Sequence, residues 1–205
     1  IETVAAAAPA AIVQAPAPSN QDLVTAAIGA DAARAVAIYS AETGTSTPAI
    51  AIGTYLPKSR AIATAAQDAL PKEALIAFPD GSYIAASLAH EGDGITVYGF
   101  SDKAALPKTT SPVLVASNEL RLGATALAIS ADGAAATGIV ARVTSKGIHT
   151  TLPDIGAGSA VVDLSGNLIG IGAGAAPGFL ISADKITALL TATSTVATTT
   201  PKVSS

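Results

Sequence analysis

Short apolar runs separated by turn residues make up most of the chain after residue 34. In the first half most runs contain β-branched or aromatic residues, and turn signals such as Pro79–Ser82 and Glu91–Gly94 separate them. One strand about every ten residues is typical of an all-β unit. The pattern predicts six strands, at residues 35–39, 49–55, 61–64, 74–78, 83–87 and 95–98.

A second set of apolar runs follows a break at residues 101–110, which reads as a crossover because it contains Leu106-Pro107. Two six-strand sets joined by a crossover favour two packed antiparallel β-barrels. The expected fold class is therefore all-β, with a first barrel at about residues 35–100 and a second at about residues 113–182. The second set predicts strands at residues 113–116, 124–130, 138–143, 160–162, 168–171 and 178–182.

A helix is predicted at each end of this double barrel. Ser19 or Asn20 can cap a short N-terminal helix, because both side chains accept a hydrogen bond from a first-turn amide. A closing helix is predicted at residues 184–190, where Ile186 and Leu190 fall on one apolar face.

The composition limits which side chains can fill the core. Half of the residues are apolar, but only 3% are aromatic and Met, Trp and Cys are absent, so Ala, Val, Ile and Leu must fill the interior by close packing. The net charge is -4 and the Lys and Arg residues are scattered, which argues against a nucleic-acid-binding surface. Without cysteine there is no disulfide framework and no thiolate metal site.

Two segments of biased composition flank a domain at residues 20–190. Residues 1–19 are rich in Ala and Pro and read as an extended linker, and residues 191–205 form a Thr/Ser-rich tail. The apolar runs are too short for a membrane-spanning helix. The segments are typical of a tethered protein, so we expect an extracytoplasmic location at the cell surface, in the periplasm or secreted, with an anchor outside this chain.

The stretch Thr150–Gly172 contains the most evident candidate for chemistry. Ser159 follows Gly158 there, between a Pro153-Asp154 turn and two short apolar runs. Such a setting is how a tight loop presents a hydroxyl and backbone amides beside a sheet. Ser159 is therefore a candidate nucleophile if a general base lies near it.

Five segments in the second half carry a family resemblance. They are Asn118–Ser130, Thr137–Val143, Ile148–Asp154, Ser165–Ile171 and Gly178–Asp184. In order, these segments are similar to patterns of the trypsin-like serine proteases, most closely the HtrA-like branch, including S-D-x-L-R-V-G, T-x-G-I-V-S and G-x-V-I-G-I. The resemblance covers about residues 20–190 and implies a double β-barrel.

The resemblance also implies where a nucleophile would lie. The family's loop reads G-N-S-G-G-P-L-V-N-x-x-G, and counting back from Gly166 without a gap puts Ala157 at its serine and Gly158 and Ser159 at its two glycines. Counting forward from Ile148 puts Ser159 at the serine instead. The first count keeps more matches, so Ala157 is the expected, degenerate nucleophile position.

The other two members of the triad are also altered. The family pattern I-L-T-N-x-H-V falls on Ile62–Asp68 and puts Gln67 at the histidine. The aspartate falls on Gly94, with Asp93 one residue early. An amide cannot act as a general base near neutral pH, so this alignment predicts a trypsin-like domain that has lost its triad.

Two histidines offer alternatives. His149 lies on a predicted strand ten residues before Ser159, and His90 precedes the Glu91–Gly94 turn, so either could supply a relocated base. His90, Glu91 and Asp93 are also metal-ligand types, but neighbours on one turn rarely converge on an ion. No metal and no cofactor are expected.

The expected function is therefore that of a catalytically inactive trypsin-like domain. It would act through a protein partner or through self-assembly, for example as a homo-oligomer or a structural subunit. Two rival functions remain open at this point. One is an active HtrA-like serine endopeptidase with a relocated base, and the other is a subunit of an extracellular filament or surface layer whose tails are buried against neighbouring copies.

Overall fold

The structure is a computed structural model, and it describes residues 17–130 and 133–192. Most of the predicted linker at residues 1–19 and of the predicted tail at residues 191–205 lies outside the described residues. The structure contains two closed six-strand barrels and two α-helices, which confirms the predicted all-β fold class.

Helix α1 spans Asn20–Ala32 and begins at the predicted cap. The Oγ of Ser19 accepts a hydrogen bond from the amide of Asp22 at 3.2 Å, and the Asp22 carboxylate accepts one from the amide of Ser19 at 3.0 Å. This reciprocal capping box satisfies two amides that would otherwise lack a partner at the helix start.

Removal of this cap gives a modest, testable effect. We expect Ser19→Ala to lower the free energy of unfolding by about 1 kcal/mol, because the amide of Asp22 loses its acceptor. Urea denaturation measures the change. Thr25→Ala, on the exposed surface of the same helix, is the matched control and should change stability by less than about 0.5 kcal/mol. Equal losses in the two variants would contradict a stabilising cap.

The first barrel contains all six strands that the pattern predicts between residues 35 and 98. Its strands form a closed antiparallel ring in the order β1-β2-β3-β6-β5-β4. The turn signals mark its hairpins, since Asp93 and Gly94 form the turn between β5 and β6. The strands are β1 Ala35–Ser40, β2 Ala51–Leu56, β3 Ala61–Ala65, β4 Glu73–Ala77, β5 Tyr83–Gly92 and β6 Ile95–Gly99.

The second barrel closes in the order β10-β11-β12-β9-β8-β7. Five of its strands lie at predicted runs. The sixth, β9, carries His149. The sequence predicts a strand at His149 but does not include it in the set of six. The strands are β7 Thr125–Ile129, β8 Ala135–Thr144, β9 Gly147–Thr150, β10 Ala160–Val162, β11 Leu168–Gly172 and β12 Phe179–Ser182.

The predicted strand at residues 113–116 is wrong. This segment makes a single parallel bridge, between Leu114 and Leu168, in which the amide of Val115 donates to the carbonyl of Leu168 at 2.9 Å. Pro112 directly before it has no amide to extend the ladder. The segment is therefore apolar because it packs beside β11, and β9 takes its place in the ring.

Helix α2, Ala183–Ala192, closes the fold at the predicted position, beginning one residue earlier and ending two residues later than expected. It contacts β5 and β6 of the first barrel and β11 and β12 of the second. Ile186 is fully buried, as its place on the apolar face predicts. The helix therefore bridges the two barrels at one end of their interface.

The interiors of the two barrels differ in chemistry. The first holds an aromatic cluster in which Tyr55 meets Phe78 edge to face at 5.2 Å between ring centroids and Phe100 at 6.2 Å. The second is filled by Ala, Val, Ile and Leu side chains such as Ile148 and Leu180. The few aromatic residues thus concentrate in one core.

The two barrels meet along a third apolar cluster, which we call the inter-barrel seam. Its buried members include Ala61, Ala63 and Ala65 of β3 and Ala160 of β10, and β3 contacts β11 across it. Because alanine side chains are small, the backbones of the two barrels approach closely. Loops from both barrels therefore come together at the ends of the seam.

A buried arginine ties the helix to this arrangement. Arg34 follows α1 and is only 2% exposed. Its Nη2 donates to the carbonyl of Gly166 at 3.1 Å, and its Nη1 lies 3.4 Å from the carbonyl of Thr110. The guanidinium thus connects the end of α1 to the crossover and to the β10–β11 turn.

Candidate functional site

The loop between β9 and β10 carries the predicted nucleophile positions. Gly156 and Gly158 have φ angles of 84° and 86°, which give the loop two tight turns. The amide of Gly158 donates to the carbonyl of Gly172 at 2.9 Å, and the amide of Gly172 donates to the carbonyl of Ser159 at 2.8 Å. These hydrogen bonds fix the loop to the end of β11.

Ser159 is not presented to solvent by this loop. Its side chain is buried, with 3% of the residue exposed, and its Oγ donates to the carbonyl of Ile155 within the same turn. A local hydrogen bond of this kind is the ordinary role of a loop serine. The hydroxyl proton therefore points to a backbone acceptor and away from any base.

Gly158 lies directly against the first barrel. A Cβ atom at this position would lie 2.1 Å from the carbonyl oxygen of Ile52 and 2.6 Å from Oγ1 of Thr64, so the site accepts only glycine. The adjacent Ala157 is half-buried and packs against the inter-barrel seam, beside Gly174. The loop therefore reaches the strand of the first barrel that leads to Gln67.

Gln67 and the Asp93-Gly94 turn lie beside each other at this end of the first barrel. Gln67 follows β3, three residues after Thr64, and is half-buried. The amide of Ala66 donates to the carbonyl of Gly94 at 2.8 Å. Asp93 is exposed and adopts a left-handed conformation with a φ of 53°. Three loops with predicted triad positions therefore lie near the same end of the seam.

The two histidines lie elsewhere. On β9, Nε2 of His149 is 3.2 Å from Nη2 of Arg142, and the His149 ring packs on Phe179 at 5.0 Å. His149 and Lys146 line a surface hollow on the second barrel, whereas His90 lines another hollow beside α2. Ser159 lines a third one, so the structure does not bring either histidine to it.

Among residues 17–130 and 133–192, no three His, Cys, Asp or Glu side chains come together in a way that could hold a metal ion. The candidate ligands His90, Glu91 and Asp93 are included in that finding, because each lies in the described part of the chain. Successive residues of β5 point to opposite faces of the sheet, which separates His90 from Glu91.

The hollow that Ser159 lines lies between the barrels and has a volume of about 190 Å³. Asp31, from the last turn of α1, forms part of its wall and is only 2% exposed. Burial raises the pKa of this carboxyl to about 7, although the nearby Arg34 guanidinium and a hydrogen bond from the Ile129 amide act in the opposite direction.

Sequence patterns did not identify Asp31 as a candidate site residue, but its place in the helix is a sign that it is unusual. The last turn of a helix favours basic side chains, because the helix dipole is negative there. Asp31 places an acidic group in that turn, where α1 has no basic residue. An acidic residue in this unfavourable place suggests that its position is set by the tertiary structure.

Comparison with solved structures decides the fold type. The chain superimposes on an HtrA-type protease, AlgW with a tripeptide, with a TM-score of 0.65, and the match covers 85% of this chain. The chain has the trypsin-like, HtrA-type fold. Sequence identity is 18%, and the chain spans 63% of the length of that structure. Comparisons with protein-family models and with curated protein sequences find no match.

The HtrA-type fold confirms the resemblance that the five sequence segments carry. It explains the two barrels, the crossover between them and the helix at each end. In the described part of the chain, neither helix is long and apolar enough to span a membrane. At this level of identity the likeness concerns the fold, and the residues at the triad positions must be considered on their own chemistry.

Proposed function

We propose that this domain is a catalytically inactive member of the HtrA-type fold that acts through protein contacts or as a structural subunit. The observation that carries the proposal is the state of Ser159, whose buried hydroxyl donates to the carbonyl of Ile155. A serine becomes a nucleophile only when a base removes its proton. Here that proton is held by a backbone oxygen.

The chemistry of the aligned positions supports the same proposal. Ala157 offers a methyl group where an attacking oxygen is needed, and Gln67 offers an amide that cannot accept a proton near neutral pH. Gly94 has no side chain to orient a base. The loops that would assemble a triad are close together, so the scaffold is retained while the reacting groups are absent.

The chain composition supports a location outside the cytoplasm. The Ala/Pro-rich residues 1–19 and the Thr/Ser-rich residues 191–205 have the composition of spacers that hold a domain away from an anchor or a neighbour. A domain without catalysis in such a place would serve by binding a protein partner or another copy of itself.

Labelling with a fluorophosphonate probe tests the loss of activity. We expect no labelling of the unmodified protein, because such probes report a serine activated by a base. Stoichiometric modification of Ser159 would overturn the proposal. Ser159→Ala serves as the control that assigns any signal to this residue.

A gain-of-function variant tests the positions themselves. Ala157→Ser combined with Gln67→His restores a nucleophile and a base, and we expect slow labelling at residue 157, since a triad without its acid keeps part of its activity. Circular dichroism verifies that the variant is folded. A folded double variant that remains unlabelled would show that the position of Ala157 is assigned wrongly.

A further inference from the structure

A row of side chains crosses three neighbouring strands on the outer face of the second barrel. Arg142 of β8 lies opposite His149 of β9, and His149 lies opposite Phe179 of β12. Directly paired residues of antiparallel strands point to the same face of the sheet. Since a guanidinium can only donate, Nη2 of Arg142 donates to Nε2 of His149, at 3.2 Å. The ring centroids of His149 and Phe179 are 5.0 Å apart, so the three side chains form one continuous surface.

A β-bulge in β8 places Arg142 in this row. The register of β8 against β9 shifts after Val140, which leaves Ala141 as the extra residue of the bulge. Val140 and Val143 pack in or against the core of the barrel, whereas Ala141 and Arg142 are both exposed. In an unbroken strand, alternation would direct Arg142 to the same face as the buried Val140. The bulge therefore turns this cation outwards, beside His149.

The row forms one side of a positively charged surface hollow of about 570 Å³. This volume is within the range of about 300–1,000 Å³ that is usual for ligand sites. No acidic side chain lines the hollow, and among residues 17–130 and 133–192 none forms an ion pair with either of its two cations, although the net charge of the chain is -4. The lining residues are Arg142, Thr144, Ser145, Lys146, His149 and Phe179.

The tight turn between β8 and β9 holds the second cation, Lys146, beside the aromatic ring. A Cβ atom at Gly147 would lie 2.7 Å from Cζ of Phe179 and 2.4 Å from the carbonyl oxygen of Leu180, so the ring and β12 lie directly against the turn. Oγ1 of Thr144 donates to the carbonyl of Gly147 at 2.9 Å and fixes the turn. The hollow therefore combines two exposed cations with an aromatic wall.

We propose that this hollow binds a small aryl phosphate monoester, in which a flat aromatic ring carries the phosphate. Two cations without acidic partners match its charge of about −1.5 to −2 near neutral pH better than they match a single carboxylate. The remaining guanidinium N–H groups of Arg142 would donate to phosphate oxygens, together with Lys146 and the hydroxyl of Ser145. The aryl ring would pack on Phe179 and His149.

A titration of the isotope-labelled full chain with phenyl phosphate at about pH 7.5, followed by amide resonances in NMR, tests the proposal. We expect saturable shifts at Ser145, Lys146 and His149. Phenol has the ring without the anion, and we expect it to bind at least about tenfold more weakly. Inorganic phosphate has the anion without the ring, and we expect it to bind at least about threefold more weakly. Equal affinity for either control ligand, or no saturable shift, would overturn the proposal.

Charge variants separate the hollow from the general attraction of an anion to surface cations. Arg142→Gln removes the guanidinium and should weaken phenyl phosphate binding at least about tenfold, and Lys146→Gln should weaken it at least about threefold. Lys103→Gln, at an exposed lysine outside the hollow, is the matched control and should leave the affinity unchanged. Unchanged affinity in Arg142→Gln, or equal losses in the two lysine variants, would contradict the site.

A further variant tests the aromatic wall independently of charge. Phe179→Leu should remove most of the preference for phenyl phosphate over inorganic phosphate and leave the affinity for inorganic phosphate unchanged. A variant that keeps the full preference would place the aryl ring elsewhere and overturn the proposal. Because Arg142 is exposed, the charge test does not depend on the stability of Phe179→Leu.

A short peptide that contains phosphotyrosine presents the same aryl phosphate on a protein chain. Tighter binding of the peptide than of phenyl phosphate would identify a phosphorylated protein as the source of the group, and equal or weaker binding would identify a free small molecule. Both outcomes support the site. The hollow shares no lining residue with the one that Ser159 lines, so failure of this proposal leaves the proposed inactive function to be judged on its own test.

Discussion

Replacing Gly158 with alanine is expected to lower the free energy of unfolding by about 3 to 5 kcal/mol. The added Cβ would lie 2.1 Å from the carbonyl oxygen of Ile52 and 2.6 Å from Oγ1 of Thr64. One of these contacts is with backbone, so no side-chain rotation relieves it. The φ angle of 86° adds the strain of a left-handed conformation.

Gly123→Ala is the matched control for this substitution. Gly123 has a φ angle of 82°, but nothing lies within 4 Å of a Cβ atom there. It should therefore report the cost of the backbone conformation alone, roughly 1 kcal/mol. Urea denaturation of both variants gives the difference. Similar losses at the two positions would show that the loop and the first barrel are not in close contact.

Asp31→Asn is expected to become more stable relative to the unmodified protein as pH rises from about 4 to about 7. The folded state raises the pKa of this carboxyl from 3.8 to about 7, so between these values the folded protein binds a proton that the unfolded chain has lost. Its stability therefore falls across this window. The asparagine variant has no proton to lose, and the relative gain is on the order of 4 kcal/mol.

Urea denaturation at a series of pH values measures this difference. The comparison uses the change with pH, so a constant cost from leaving Arg34 without its acidic neighbour does not enter. Asp102→Asn, on the exposed surface, serves as the control and should follow the unmodified protein at every pH. A difference between Asp31→Asn and the unmodified protein that stays constant with pH would contradict a raised pKa for Asp31.

Hairpins with strong turn residues were predictable from the sequence, and one hairpin without them was not. Gly92, Asp93 and Gly94 mark the turn between β5 and β6, and the structure places it there. By contrast, β8 and β9 are joined by Ser145 and Lys146 alone, with no Pro, Gly or Asn between the strands. The missing signal explains why β9 was not included in the predicted barrel.

The candidate site shows a different limit. Sequence motifs direct attention to Ser159 because of its glycine setting, but the direction of a hydroxyl depends on which acceptor the fold brings to it. Here that acceptor is the carbonyl of Ile155, four residues earlier in the same loop. Assignment of Ala157, Gln67 and Gly94 to the triad positions stays a prediction. The contact of Gly158 with Thr64 is consistent with it, because it brings the two loops together.

Asp31 could not be recognised as a cavity residue from local pattern. It lies in a helix whose sequence neighbours are mostly alanine. Its burial depends on β7, which is far away along the chain, as well as on the adjacent β1. Only the packing of the barrels removes its carboxyl from water. The acidic residue in the last turn of α1 is a local sign of this burial, but the surface that buries it is formed only in the tertiary fold.

The uneven distribution of aromatic residues makes each barrel separately observable. The chain has four tyrosines and no tryptophan, and Tyr39, Tyr55, Tyr83 and Tyr98 all belong to the first barrel. Tyrosine fluorescence therefore reports unfolding of that barrel alone, whereas far-ultraviolet circular dichroism reports both. Coincident curves mean that the barrels unfold as one cooperative unit. Separated curves mean that the contact along the inter-barrel seam is lost before both barrels have unfolded.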